Sequence, residues 1–161
     1  MGKNHGASLL ALLLAIGGIV AWIFLPVLSA ESTVAGITIK GELTGMATIF
    51  GGKLKVSTSG GSLDVEVLKF STVLCVAFAC ACLGGLIVLA KTSGAAKNKI
   101  ISAFLALILL AGAAVVIFLT KDYVVVKDSS YNMDEFKLGY GAYIAMGCLG
   151  LSGIVQLADL K

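Results

Sequence analysis

Four stretches of the chain carry no Asp, Glu, Lys, Arg or His: residues 7–30, 70–90, 100–120 and 138–158. Each matches the roughly 20 residues a helix needs to cross the hydrocarbon core of a bilayer. In hydrocarbon every backbone N–H and C=O must pair internally, so each stretch is read as a helix. The pattern predicts a membrane α-helical protein, a four-transmembrane-helix bundle forming a single domain. The segments 31–69 and 121–137 then share one side, and the 91–99 loop shares the other with both termini. The first stretch is longer than the ~7–15 residues of a signal-peptide core, and Leu28 stands where cleavage after Ala30 wants a small residue. It is therefore read as a retained helix.

Between the first two stretches the period changes from helix to strand. Leu54 and Val56 alternate with Lys53, Lys55 and Ser57, and Leu63, Val65 and Val67 alternate with Asp64 and Glu66. Such alternation marks half-buried strands. A hairpin turning through 58–61 sets Ser57 opposite Ser62, Lys55 opposite Asp64 and Lys53 opposite Glu66. The two charged pairs fall on the solvent face, each worth about 0.2–1 kcal/mol. Val56–Leu63 and Leu54–Val65 then fall on a buried face. A two-residue Gly51-Gly52 turn pairs Ile49 with Leu54 and Ala47 with Val56 on that same face. Val34 to Leu43 reads as a further strand, joined by a three-residue turn near Gly45 so that Ile37 and Ile39 are buried. Tyr123 to Val126 is a candidate fifth strand. Asn132 followed by Glu135 has the spacing of a capping box, which starts the last helix near Met133. The sequence thus predicts a small antiparallel outer sheet made by the first outer loop and part of the second.

Composition supports the membrane reading. Hydrophobic residues make up 58% of the 161 and charged residues 13%, against about 25% charged in soluble domains. A chain this small has too much surface to hide so much apolar area in water. The net charge of +3 comes from dispersed lysines with no arginine, which is no nucleic-acid footprint. Lys3, Lys91, Lys97, Lys99 and Lys161 share one side with Asp159 alone, and the other side holds seven lysines and eight acids. The lysine-dense 91–99 loop places both termini in the cytoplasm by the positive-inside rule. Trp22, Tyr123, Tyr140 and Tyr143 fall near the opposite ends of the helices, as an interfacial belt does.

This layout resembles the claudin and PMP22-like group. The resemblance implies four helices, cytoplasmic termini, a long first outer loop folded as a β-sheet and a shorter second one. It covers nearly the whole chain as architecture. The group's signature is a Trp, then Gly-Leu-Trp, then two cysteines in the first outer loop. Residues 31–69 contain neither Trp nor Cys, so no functional residue is carried over.

Candidate chemistry is sparse. No ionisable residue lies in the spans, which argues against ion-coupled transport. Ser8, Ser71, Thr72, Ser102, Thr120, Ser152 and Gln156 are the most polar side chains there, and such residues commonly bond back to their own helix. Cys75, Cys80, Cys82 and Cys148 all lie in spans, where cysteine packs as a small hydrophobe. His5 is the single histidine. No catalytic, cofactor or metal residues are assigned, and no cofactor is expected. Small residues are the informative set: Ala77, Ala81 and Gly85 in the second span, and Gly147, Gly150 and Gly153 in the fourth. Small side chains let helix backbones approach closely in lipid. The glycines at 139, 141, 147, 150 and 153 exceed what one packing face uses.

The leading expectation is a non-enzymatic membrane protein acting by assembly. Its partners are the bilayer and either a second copy or other membrane proteins, with the sheet as a recognition head. A passive oligomeric pore and a thiol-based metal or redox subunit are the alternatives.

Overall fold

The computed structural model describes residues 5–127 and 133–158. The chain opens with helix α1 (His5–Phe24) and continues into strands β1 (Pro26–Val34) and β2 (Ile37–Thr44). A short helix α2 (Gly45–Phe50) precedes strands β3 (Lys53–Thr58), β4 (Gly61–Glu66) and β5 (Leu68–Lys69). Helices α3 (Thr72–Thr92) and α4 (Lys99–Phe118) follow, then a turn of helix α5 (Thr120–Tyr123) and strand β6 (Val125–Val126). Strand β7 (Lys137–Leu138) leads into the last helix, α6 (Tyr140–Ala158).

Helices α1, α3, α4 and α6 are long and apolar enough to cross a membrane. Only 28–39% of each helix's apolar window is buried, so most of every helix shows apolar side chains outward. That surface suits lipid. The four form a ring in which α1 packs on α3 and α6, and α4 packs on α3 and α6. The ring closes on small side chains, among them Ala11, Ala81, Ala106 and Ala145, with Leu110 and Leu149 filling the middle.

The first charge-free stretch is not one helix, as the sequence predicts for 7–30. α1 ends at Phe24 and Pro26 begins a strand. Proline has no N–H for the next helical bond and clashes with the preceding turn, and it is tolerated as the first residue of a strand. Val27 and Leu28, read as membrane residues, are buried at the base of the sheet. The β1–β2 hairpin turns on Ala35-Gly36, both at positive φ (51° and 79°), as a type I′ turn requires.

The five-stranded sheet runs β4-β3-β2-β1-β7, and β5 pairs separately with β6. The β3–β4 register is the one the alternation predicts: Lys53 opposite Glu66, Leu54 opposite Val65, Lys55 opposite Asp64, Val56 opposite Leu63. The strand before it is paired differently. Residues 45–50 are helical, so the Gly51-Gly52 turn with Ile49–Leu54 and Ala47–Val56 pairs does not form. β3 pairs instead with β2, Gly41 opposite Val56 and Glu42 opposite Lys55. Thr44 caps α2 by accepting from Ala47 N–H, and Gly45 lies against the Trp22 backbone.

One sheet face is polar throughout. The other is apolar but buried only near the helices, where Leu28, Leu43, Val67 and Leu68 pack with Phe136 and Leu138. The expected burial of Leu63, Val65 and Ile37 does not occur: they are 74%, 39% and 50% exposed. Of the described residues of the second outer loop, Val124, Val126, Met133 and Phe136 pack against that buried part of the face. The candidate strand 123–126 is reduced to Val125–Val126, because Tyr123 closes α5. Asn132 lies outside the described residues. The last helix starts at Tyr140, not near Met133, because 137–138 is drawn into the sheet beside β1.

Candidate functional site: an open glycine notch on the last helix

The structure divides the predicted small residues into two groups. A Cβ on Gly153 would lie 2.9 Å from Leu107 Cδ1, so this glycine serves the internal α4–α6 contact. Gly139 and Gly141 are also internal, their Cβ positions falling 2.5–2.6 Å from the Pro26 carbonyl oxygen. The inferred glycine surplus on this helix therefore shrinks to two residues. Gly147 and Gly150 have nothing within 4 Å of a built Cβ. They sit three residues apart on the outward face of α6, flanked by exposed Tyr143, Ile144, Leu151 and Ile154. The result is a backbone-deep notch in an otherwise bulky apolar surface.

In α3, Ala77 and Ala81 are buried in the bundle core. Gly85 is only half-buried, with ordinary contact to Ile19 at 3.4 Å. The tight approach is one residue earlier, at Gly84, whose Cβ position lies 2.9 Å from Leu110. Gly18 plays the matching role in α1 against Leu149, at 2.8 Å. Sequence spacing alone singles out neither, since adjacent glycines look equal until the neighbouring helix picks one.

Polar side chains tie the bundle at the end away from the sheet. Ser152 Oγ donates to Ala11 O at 2.6 Å, and the single Thr92 hydroxyl proton is directed to Val88 O at 2.8 Å or shared with Ser8 O at 3.3 Å. Lys91 is buried and donates from Nζ to Gln156 O at 2.9 Å. That carbonyl lies in the last described turn of α6, where a cation suits the helix dipole. The sequence reads Lys91 only as a marker of sidedness. Thr120 and Ser102 bond back to their own helix or its cap, as expected, at Val116 O and Asn98 O. Ser152 and Ser71 instead cross to other elements, Ser71 through Tyr123 O at 2.7 Å.

The charged pairs of the hairpin share a face, but Glu66 bonds to Lys127 Nζ at 2.6 Å and makes no ion pair with Lys53. The Lys127 hydrogen bond, aided by its charge, holds the Glu66 carboxyl below its usual range. A depressed carboxylate pKa gives a contribution that is complete above the unfolded value and lost as pH falls through the folded one. Acidification is therefore expected to free this link. Amide exchange should show the Lys127 N–H, bonded to Val67 O, losing protection in acid before the β2–β3 amides do. Equal loss in both would mean the ion pair does not hold the loop.

The thiols do not converge. Cys80 faces an apolar groove of about 510 Å³ between α3 and α4, while Cys148 lies by Gly18 of α1. Among the described residues no three His, Cys, Asp or Glu side chains gather as a metal set. Exposed aromatics cluster at the sheet end, with Phe24, Phe118, Tyr123, Tyr140 and Tyr143 all outward. Trp22, expected in that belt, is fully buried and meets Phe78 edge-to-face at 5.6 Å.

No protein-family model matches this chain, and no curated protein matches it either.

Proposed function

We propose that this chain is a non-enzymatic membrane protein that works by assembly. The notch at Gly147 and Gly150 receives a helix of a second copy or of another membrane protein. The sheet projects outside as a recognition head, and both termini and the 91–99 loop face the cytoplasm. The layout shared with claudin and PMP22-like proteins supplies no residue to this reading.

One observation carries it. Two glycines of α6 are open to the outside, while the third in the series, Gly153, is filled by Leu107. In lipid no hydrophobic drive pulls helices together, and close backbone approach at small residues supplies the contact energy. An unfilled notch on an apolar helix face is the shape such a contact uses.

Gly147→Leu and Gly150→Leu are each expected to leave the monomer folded and abolish larger species in mild detergent and in membrane crosslinking. Gly153→Leu should do the reverse, lowering monomer stability by about 1–3 kcal/mol through overpacking. A wild-type chain that stays a lone monomer in native membranes, with no crosslinked neighbour, overturns the assembly reading.

A further inference from the structure

We propose that the free edge of β4 is a docking strand for an extended segment of another protein in which basic and apolar residues alternate. This names the chemistry of the neighbour, and so rests on the reading of the sheet as a recognition head. It does not depend on the α6 notch.

Among the described residues β4 ends the five-stranded sheet on the side opposite β7, and all six of its residues are exposed. An edge strand offers a row of unpaired backbone N–H and C=O groups, which proteins commonly blunt with lysine, proline or a bulge. β4 reads Gly-Ser-Leu-Asp-Val-Glu, with neither residue, and its register against β3 is unbroken. The opposite edge, β7, is only two residues long.

The side chains define the strand that fits. On the polar face, charge alternates from strand to strand. Asp64 and Glu66 of β4 stand opposite Lys55 and Lys53 of β3, and Lys55 stands in turn opposite Glu42 of β2. A strand beyond β4 continues this alternation when its residues on that face are basic. On the other face, Leu63 and Val65 leave apolar surface exposed. Directly opposed residues share a face, so the incoming strand reads basic, apolar, basic, apolar. A second copy pairing through its own β4 would set an acidic row beside an acidic row, which is unfavourable. Where β4 runs on toward β5, the chain itself supplies a neighbour of this kind. β6 pairs with β5, and Lys127 just beyond it donates its N–H to Val67 O and its Nζ to Glu66 Oε2.

The test uses the full chain in lipid nanodiscs and three short labelled peptides, read by fluorescence anisotropy. One alternates lysine and valine, one alternates glutamate and valine, and one repeats the lysine–valine sequence with every backbone nitrogen methylated. The lysine–valine peptide is expected to bind about tenfold or more tighter than the other two. The double variant Lys55→Glu/Asp64→Lys keeps opposite charges across that position and makes one of the two acidic positions of β4 basic, and amide exchange across β3–β4 should show the sheet intact. It should reduce the advantage of the lysine–valine peptide over the glutamate peptide to about threefold or less. Gly147→Leu should leave binding unchanged, which separates this surface from the helix notch. No binding, equal binding of both charge types, or binding that survives methylation overturns the proposal. So does Asp64→Cys crosslinking two copies edge to edge in a yield the lysine–valine peptide does not reduce.

Discussion

Gly45→Ala is expected to be the most damaging single methyl in the protein. A Cβ at this position would lie 1.7 Å from the Trp22 carbonyl oxygen and 2.7 Å from its ring. The obstacle is the backbone of α1, so no rotamer change relieves it. Accommodation requires α2 to lift off α1 by more than an ångström. That movement uncovers Trp22 and Ile49, both fully buried, and pulls on the Ser71 N–H to Ile49 O bond that ties α2 to the start of α3. Overpacking against side chains typically costs about 1–3 kcal/mol and more where nothing can yield, so we expect about 3 kcal/mol or more. Thermal unfolding followed by the fluorescence of Trp22, the single tryptophan, checks this directly. Gly60→Ala is the control: its Cβ meets nothing within 4 Å, and its effect should stay within about 0.5 kcal/mol. Equal melting of the two variants would mean that α2 is not seated on Trp22.

The second large effect has the opposite sign. Gln156→Leu is expected to stabilise the bundle. The Gln156 side chain is fully buried, and neither its Oε1 nor its Nε2 finds a hydrogen-bond partner among the described residues. Burying an unmatched amide costs about 1–3 kcal/mol on the scale of protein mutational data. Leucine has a similar helix propensity and removes that cost. The backbone carbonyl at 156 remains, so Lys91 keeps its bond to it. Lys91→Met separates the two contributions. It removes the side-chain bond to that carbonyl and should destabilise the same helix end. A lower melting temperature for Gln156→Leu would show that the amide is paired in the membrane.

The hairpin at 53–66 was legible in the sequence because everything that sets it is local. Alternation assigns the faces, a short turn sets the register, and the opposed charges agree with both. The strand read at 34–43 was legible too, and forms at 37–44, but its pairing and the element at 45–50 were not, for the same reason in reverse. Residues 45–50 carry Gly51-Gly52 behind them, a turn signal by composition, yet their helix is held by Thr44 capping and by the fit of Gly45 on Trp22. That anchor is distant in sequence. Gly51 does turn the chain, at φ 79°, but as the end of a helix and not as a hairpin.

Charge-free runs determined the number of long helices and their apolar outward faces, because a helix that is apolar on its outside needs no periodicity. They did not determine where the first one stops. Leu28 and Ala30 favour helix and Val27 favours strand, and Pro26 with the pairing partners in β2 chose strand. The sequence also marked the glycines of α3 and α6 as packing residues. Which of them are filled and which are open depends on side chains from other helices, such as Leu107 at Gly153 and Leu110 at Gly84. Sequence spacing fixes the face on which a small residue lies. Only the tertiary structure decides what stands opposite it, because close packing is a property of two surfaces and the sequence of one helix specifies one of them.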